Sequence, residues 1–388
     1  MEKKIAGYLD YSATTPLDNE VILAMQESLG SYANPSSSYS IAWQNKKTIA
    51  LARKVLANIL QVQVNSIFFT SGGTEANNTA IKGRAMIFLD SPGHIVCSSI
   101  EHASVLEAVT WCQDVLGFEV TYVDPDRNGV VQVETVLDAL TENTKIVTLM
   151  AVNNELGTKQ PIAALGEALF RDRPDIFFHV DAVQAFGKTD LNLSELNIDS
   201  LAISAHKIYG PKGTGALYLK NPDMTYSLIH GGGQELGFRG GTENILGVVG
   251  FTRALELLEI NKYKDEVSVA AQKKLFINLI KRYFPDATFN GSDDEVLCQN
   301  NIVSVSFPGF QSETLLERLD LLYGIRVSRG SACSENKVQK VSNVLIAIGM
   351  TPSEAESTIR VSFGRYSDEQ DVRKLVKGLI EITNHEMA

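Results

Sequence analysis

The sequence predicts an α/β protein, with a mostly parallel seven-stranded sheet in a large domain and a smaller α/β domain at the carboxyl end. Short apolar runs alternate with segments of helical periodicity between about residues 40 and 220. This alternation is typical of a parallel sheet that helices cover on both faces. A continuous helical pattern then runs from about residue 243 to residue 283, which is long enough to connect two domains.

Each predicted strand of the large domain is a short apolar run bounded by turn residues. In chain order the strands are residues 67–70, 94–98, 119–123, 144–152, 177–180, 201–204 and 215–219, and the last is expected to run antiparallel. Helices are predicted to begin near Thr74 and to span residues 103–116. Ligand groups gather at the carboxyl ends of strands in such sheets, so polar residues that follow these strands are site candidates.

The carboxyl-terminal third repeats the alternation on a smaller scale. A strand is predicted near residues 302–307, a helix near 313–322, a strand near 359–363 and a final helix from Glu369. We predict that residues 15–255 form the large domain. Residues 1–14 and 256–388 are expected to form the small domain.

Charge and cysteine content exclude several classes of protein. The 388 residues carry 35 basic and 46 acidic side chains, a net charge of −11, which argues against nucleic acid as the main partner. No apolar run approaches the ~18 residues of a membrane span, and the first residues lack the apolar core of a secretory signal. Four scattered cysteines without a Cys-x-x-Cys pair indicate reduced thiols in a cytoplasmic protein and no metal site.

The segment that ends the strand at residues 201–204 contains the strongest catalytic candidate, Lys207. It follows a buried strand and precedes a glycine-rich loop that ends at Gly215. A partly desolvated lysine has a lowered pKa, so its neutral amine is available to form an imine. Ser204 and His206 beside it offer hydrogen-bond donors to a phosphate. The alternative is an exposed lysine on a surface loop.

Asp181 ends the preceding predicted strand, 26 residues before Lys207. A carboxylate at this position is suited to pair with a protonated pyridine nitrogen and to keep a pyridine cofactor an electron sink. Gln184 follows one helical turn later and is expected to reach a phenolic oxygen. Asp181 is also a good helix N-cap, and the two roles are compatible.

Three further strand ends carry polar residues. Gly73 and Thr74 stand at a strand–turn–helix junction, where backbone N–H groups and a hydroxyl suit a phosphate, although a simply capped helix fits equally well. His102 is placed to stack on a flat cofactor, and its alternative is a structural histidine. Asn154 is expected to bind the cofactor or a substrate carboxylate, or else to cap a turn.

Together these segments resemble the aminotransferase class V family of pyridoxal phosphate enzymes, and most closely the bacterial cysteine desulfurases of NifS/IscS type. The resemblance covers essentially the whole chain. Besides the segments above, it rests on Leu9-Asp-Tyr-Ser-Ala-Thr-Thr15, Asn34-Pro-Ser-Ser, Gly231-Gly-Gly-Gln-Glu-Leu-Gly-Phe-Arg-Gly-Gly-Thr242, Ser328-Arg-Gly-Ser-Ala-Cys333-Ser and Ile359-Arg360-Val-Ser-Phe-Gly-Arg365.

The resemblance implies a fold type I enzyme, a homodimer that uses pyridoxal 5′-phosphate on L-cysteine. The catalytic residues would be Lys207, Cys333 and His102. Lys207 would bind the cofactor as an imine and move the Cα proton of the substrate. Arg360 would clamp the substrate carboxylate, a task suited to a guanidinium, together with Asn34 and Asn154. The other cofactor contacts would come from Gly73, Thr74, His102, Asn154, Asp181, Gln184, Ser204, His206 and, from the second subunit, Thr242.

Cys333 decides the reaction that the resemblance implies. It stands in a polar segment of small residues, where Arg326 and Arg329 would favour the thiolate; the alternative is a small buried apolar residue. As the nucleophile, Cys333 would take sulfur from L-cysteine as a persulfide and leave L-alanine. The long segment from Cys333 to the helix near Val341 implies that a docked protein accepts the sulfur, either an iron–sulfur scaffold or a tRNA-thiolation enzyme.

Two segments depart from the family pattern. Tyr39 stands where many relatives carry histidine, and Gln234 and Leu236 stand where the IscS branch has histidine and arginine, which favours the NifS branch. The alternatives are a selenocysteine lyase or another class V aminotransferase, and, outside the enzymes, a non-catalytic cofactor-binding or sulfur-carrier protein.

Overall fold

A computed structural model of the chain describes residues 6–292, 294, 296–329 and 341–387, with side chains up to residue 384. The larger of its two sheets has the strand order β1-β7-β6-β5-β4-β2-β3. Its strands are β1 (Ile67–Thr70), β2 (His94–Ser98), β3 (Glu119–Val123), β4 (Thr144–Thr148), β5 (Phe177–Asp181), β6 (Ser200–Ser204) and β7 (Gly215–Leu219). The strands β3, β2, β4, β5 and β6 are parallel, whereas β7 runs antiparallel to both of its neighbours.

The second sheet is antiparallel and has the order β10-β9-β8, formed by β8 (Thr288–Asn290), β9 (Ile302–Ser306) and β10 (Thr358–Ser362). The two sheets confirm the predicted fold class, including the antiparallel β7. Predicted strand 144–152 ends early, at Thr148. The chain bends beyond it, because Val152 pairs with Lys159 and Gln160 N–H donates to the Ala151 carbonyl.

The helices surround both sheets. They are α1 (Asn19–Glu27), α2 (Ser40–Leu60), α3 (Gly73–Ala85), α4 (Ala103–Leu116), α5 (Val133–Asp138), α6 (Ile162–Asp172), α7 (Ile245–Tyr283), α8 (Ser312–Tyr323), α9 (Asn343–Ala347), α10 (Pro352–Glu356) and α11 (Glu369–Met387). In the described parts of the chain, none is both long and apolar enough to cross a membrane.

Each face of the large sheet has its own apolar core. Successive side chains of a strand point to opposite faces, so Phe177 packs with Ile95 and Leu217 on one face while Phe178 packs in the core that contains Phe251 on the other. Both faces are buried, which explains why the parallel strands are apolar throughout. Their polar residues are therefore concentrated where the strands end.

Helix α7 contributes to two cores. Phe251 lies in the core of the large sheet, and Phe276 lies in the core of the small sheet with Val305 and Val361. The core of the large sheet also contains Val344 of α9. The division at residues 15 and 255 remains a prediction.

Candidate active site

Lys207 lies in a 3₁₀ turn over Ala205–Lys207, directly after β6. Its Nζ donates to the backbone carbonyl oxygens of Ser12 at 2.5 Å and Ala13 at 2.7 Å. Gln184 Nε2 donates to the same Ser12 oxygen at 2.8 Å. The structure thus brings Lys207 and Gln184, predicted from two different strand ends, to one carbonyl group.

The amino-terminal segment also holds the turn that carries Lys207. Thr15 N–H donates to the His206 carbonyl oxygen at 2.9 Å, and Tyr209 N–H donates to Thr15 Oγ1 at 2.7 Å. His206 Nδ1 lies 3.1 Å from Thr14 Oγ1. The catalytic candidate is therefore fixed by residues about 190 positions earlier in the chain, a contact that strand and helix patterns do not reveal.

The glycine turn before α3 faces the end of β6. The N-cap of α3 is Gly72, and the first N–H groups of a helix have no partner within the helix. A Cβ on Gly72 would lie 4.0 Å from Ser204 Oγ, and one on Gly73 would lie 2.6 Å from Val183 Cγ2. Thr74 is exposed at the same helix terminus. Backbone donors and the Ser204 hydroxyl thus face one small space, which suits an anion.

Asp181 ends β5 and is buried. Its Oδ1 accepts the N–H of Val183 at 2.8 Å and its Oδ2 accepts Nδ2–H of Asn77 at 2.7 Å. The bond to Val183 closes a turn, and no helix begins between β5 and β6, so the prediction that Asp181 is a helix N-cap is wrong.

His102 is the N-cap of α4, and its Nδ1 accepts the N–H of Ser104 at 3.1 Å. Ser104 Oγ lies 2.8 Å from the same nitrogen and also accepts from Asn77 Nδ2 at 2.8 Å. Asn77 therefore connects His102 to Asp181. Capping fixes the ring orientation, so the structural alternative for His102 is present.

Arg360, in the middle of β10, is 3% exposed. Its Nη2 donates to Asp10 Oδ1 at 2.7 Å and its Nη1 donates to the Asn154 carbonyl oxygen at 2.9 Å. The backbones of Arg360 and Ser328 exchange two hydrogen bonds, and Ser328 Oγ donates to Asp10 Oδ1 at 3.1 Å. Arg360 and Asn154 are thus joined, although Asn154 takes part through its backbone.

The chain matches the family model described as aminotransferase class-V over residues 7–375. It belongs to the aminotransferase class-V family. Cysteine desulfurase IscS of Clostridium botulinum (strain Hall) is 41% identical over 383 residues, covering 98% of this chain and 95% of the relative.

Two solved structures are also similar to this class V chain. A NifS-like protein has a TM-score of 0.90 at 33% identity, covering 98% of this chain and 100% of that chain. A structure described as SspA in complex with cysteine has a TM-score of 0.82 at 37% identity, covering 93% of this chain and 99% of that chain. The predicted family and the predicted resemblance to NifS/IscS-type cysteine desulfurases are confirmed, and enzymes of this family depend on pyridoxal phosphate.

The charges around Lys207 fit the phosphate of that cofactor. Burial and then the charge of Lys207 lower the pKa of Lys188 to about 7. Burial, followed by the charges of Lys207 and Lys212, lowers the pKa of His206 to about 3. Such mutual repulsion among basic groups is relieved by a bound anion.

The opposite end of the site fits a pyridine ring. Asp181 offers a carboxylate to a ring N–H, as described above. Gln184 Oε1 is buried and has no hydrogen-bond partner among the described residues, and a buried polar atom of this kind requires one. The class V site of this chain therefore has the donors and acceptors that pyridoxal phosphate needs at both ends.

Two predicted site residues remain apart from this cluster. Asn34 is exposed, and its Oδ1 accepts the N–H of Ser36 at 2.9 Å. Thr242 is exposed in the loop before α7. The described residues give neither one a hydrogen bond to Lys207 or Arg360, so their roles remain predictions.

Cys333 lies outside the described residues. Two arginines were expected to favour its thiolate. Arg326 lies 3.1 Å from a carboxylate oxygen of Asp320, and Arg329 lies 3.6 Å from one of Glu313. Carboxylates therefore offset both positive charges.

The other three cysteines are buried. Burial raises the pKa of Cys97 well above its usual range and that of Cys112 to about 12. Cys298, predicted as a loop residue, donates through Sγ to the Ser292 carbonyl oxygen at 2.9 Å. The thiols of Cys97 and Cys112 are thus uncharged, which agrees with their predicted structural roles.

Sequence reasoning missed several residues at the site. Glu155 is buried, and its Oε2 accepts from Ser342 Oγ at 2.5 Å. Burial raises the pKa of Glu155, while this hydrogen bond and the charge of Arg360 oppose the rise. Asp10 and Asn77 were missed too, because they stand in motifs whose individual side chains carried no predicted role. Among the described residues, no group of acidic, histidine or cysteine side chains is placed to hold a metal ion.

Proposed function

We propose that this enzyme is a pyridoxal phosphate-dependent cysteine desulfurase that converts L-cysteine to L-alanine and takes the sulfur as a persulfide on Cys333. The observation that carries the proposal is that Lys207 and Gln184 both donate to the Ser12 carbonyl. Asp181 ends the strand that pairs with the strand before Lys207, and Arg360 pairs with Asp10, two residues before Ser12. An amine, a buried carboxylate and a buried guanidinium are the groups that bind and activate an amino acid on this cofactor. Similarity to cysteine desulfurase IscS supports L-cysteine as the substrate.

The cofactor would be held at both ends by residues of this chain. Asp181 would bind the pyridine nitrogen, Gln184 and Asn154 the phenolic side, and His102 the ring face. The phosphate would be bound by Gly73, Thr74, Ser204 and His206, with Thr242 supplied by the second subunit of a homodimer. When bound, pyridoxal phosphate supplies an electron sink for the charge left at the substrate Cα.

The substrate is oriented by Arg360. Its guanidinium is held in place by Asp10 and by the Asn154 carbonyl, so little side-chain entropy is lost when a carboxylate binds. Asn34 and the Asn154 side chain would complete this contact. The Lys207 amine would accept the proton from Cα and return a proton to the product.

Cys333 carries out the sulfur transfer. Its thiolate attacks the sulfur atom of the substrate, so that an S–S bond forms as the Cβ–S bond breaks. The electron pair released at Cβ is protonated and gives the methyl group of alanine. The reaction is thus L-cysteine plus a thiol giving L-alanine plus a persulfide, with no other oxidant or reductant. A sulfur-acceptor protein in the cytoplasm, an iron–sulfur scaffold or a tRNA-thiolation enzyme, then receives the sulfur.

The test is alanine formation from L-cysteine without any keto acid, with a thiol present to release sulfide. We expect equal amounts of alanine and sulfide from the native enzyme and neither from Lys207→Ala or Cys333→Ala. Cys298→Ser is the matched control and should retain activity, because a serine hydroxyl keeps the bond to the Ser292 carbonyl. Alanine formation that requires a keto acid would identify an aminotransferase, and sulfide release by Cys333→Ala would remove Cys333 as the nucleophile.

A further inference from the structure

A chain of buried hydrogen bonds runs from His102 to Asp181 through Asn77. We propose that Asn77 is a positioning residue that fixes His102 as a neutral ring with its proton on Nε2, so that His102 acts as a hydrogen-bond donor and not as a base. This inference rests on the proposed function, because it takes His102 to lie on the face of the cofactor ring and Asp181 at the ring nitrogen.

The proton positions follow from one donor whose direction is unambiguous. A backbone N–H cannot accept, so the Ser104 N–H that points at His102 Nδ1 shows that Nδ1 has no proton. Ser104 Oγ, 2.8 Å from the same nitrogen, must then donate its single proton to it. Consequently Ser104 Oγ can only accept from Asn77 Nδ2, which lies 2.8 Å away.

The same reasoning runs from the other end. The Asp181 carboxylate only accepts, so Asn77 turns its Nδ2 toward Asp181 Oδ2. Asn77 Oδ1 is then left to accept from His179 Nε2 at 3.0 Å, and His179 Nδ1 accepts from Ser200 Oγ at 2.8 Å. Both ends require the same orientation of the Asn77 amide, so the arrangement is self-consistent.

Burial makes the arrangement hard to change. The side chains of Asn77 and His179 are 0% exposed, and Ser104 and Asp181 are also buried. A polar group that loses its partner here cannot bind water instead, which makes each broken bond costly. Burial also lowers the pKa of His179 to about 3. The His179 ring therefore stays neutral at physiological pH and keeps its hydrogen bond to Asn77 Oδ1.

The consequence concerns the chemistry of His102. Its Nδ1 receives two hydrogen bonds from Ser104, and its Nε2 already carries the ring proton. To take up a proton, the ring would have to give up the cap of α4. Proton transfer from Cα is therefore left to Lys207, and His102 contributes an N–H group at a fixed place beside the cofactor.

The direct test is the ¹⁵N NMR spectrum of the histidine rings in the deuterated holoenzyme. The chain has six histidines, so single substitutions suffice for assignment. We expect His102 and His179 both to be neutral with the proton on Nε2 at pH 7. A proton on Nδ1 of His102, or on both of its nitrogens, would overturn the proposal. These shifts do not depend on turnover, so the result is independent of whether the enzyme is a desulfurase.

Variants divide the network into its two halves. Ser104→Ala should change the ring shifts of His102 while His179 keeps those of the native enzyme, and kcat should fall about fivefold at unchanged KM, as expected for one lost hydrogen bond. Asn77→Asp should change the ¹⁵N ring shifts of His102. It should also move the pH at which the visible band of the bound cofactor changes, because a second carboxylate then faces Asp181. Lys82→Gln is the control on the same helix, where Lys82 lies over the Trp111 ring and away from this network, and it should leave both rings unchanged. Native ring shifts in Asn77→Asp and Ser104→Ala would contradict the positioning role.

Discussion

Replacing Arg360 by lysine isolates the contribution of the guanidinium to substrate binding. The side chain is 3% exposed and uses Nη1 and Nη2 on two different acceptors, the Asn154 carbonyl and Asp10. A lysine ammonium keeps the charge but is a point donor without the planar fork. It is therefore expected to pair with Asp10 and to lose the bidentate contact with a carboxylate.

The magnitude follows from the number of bonds lost. One hydrogen bond between charged groups is worth about 1.5–3 kcal/mol, and each 1.36 kcal/mol is a factor of ten in rate. Loss of one such bond to the substrate therefore predicts a fall in kcat/KM of about 10- to 150-fold. Because the carboxylate is bound equally in the ground state and the transition state, most of the change should be in KM.

The assay is steady-state alanine formation over a range of L-cysteine concentrations, with the cofactor absorbance as a check on loading. Arg365→Lys is the matched control, since the Arg365 side chain is only 10% exposed but pairs with Asp18 and Asp265. It should leave KM unchanged. An Arg360→Lys enzyme with native KM and reduced kcat would refute the reasoning, because the guanidinium would then act on the reacting atoms and not on the carboxylate.

Three further outcomes concern stability and cofactor retention. His179 has a folded-state pKa of about 3 against an ordinary value of 6.5. Only the unfolded chain takes up this proton between those values, so the free energy of unfolding should fall by about 1.4 kcal/mol per pH unit below 6.5. In urea unfolding, His179→Gln should reduce that slope. Glu235 accepts from Arg53 at 2.8 and 3.0 Å in a buried pair, so Glu235→Gln should lower the free energy of unfolding by about 3–5 kcal/mol while Glu195→Gln on the surface does not. Gly73→Ala places a Cβ 2.6 Å from Val183 Cγ2 and should raise the cofactor dissociation constant about fivefold or more in absorbance titrations. For each of the three variants, a native value of the measured quantity would contradict the corresponding assignment.

The strands and the helices that follow them were predictable because burial on both sheet faces leaves apolar runs separated by polar turns. Strands β1, β2, β3 and β7 have the predicted bounds, as does helix α4. The early end of β4 was not predictable, since residues 149–152 stay apolar after the chain bends. Periodicity reports burial, and burial continues past the end of the strand.

The site was predictable in its residue types but not in its connections. Lys207 and Asp181 were identified because a titratable residue after a buried strand is unusual. Their partners, Ser12 and Asn77, come from distant positions and act through a backbone carbonyl and a buried amide. Such contacts depend on tertiary packing, and a single sequence contains no signal for them. Asn77 stands in the helix predicted to begin near Thr74, where it had no predicted role of its own.

The central claim is that Cys333 receives the sulfur of L-cysteine, and mass spectrometry of the enzyme tests it most directly. After one turnover with L-cysteine and no reductant, followed by alkylation and proteolysis, we expect one additional sulfur atom on the peptide that contains Cys333. The peptides of Cys97, Cys112 and Cys298 should carry none, because these thiols are buried. An unmodified Cys333 peptide alongside stoichiometric alanine, or the additional sulfur on one of the other three cysteines, would contradict the account.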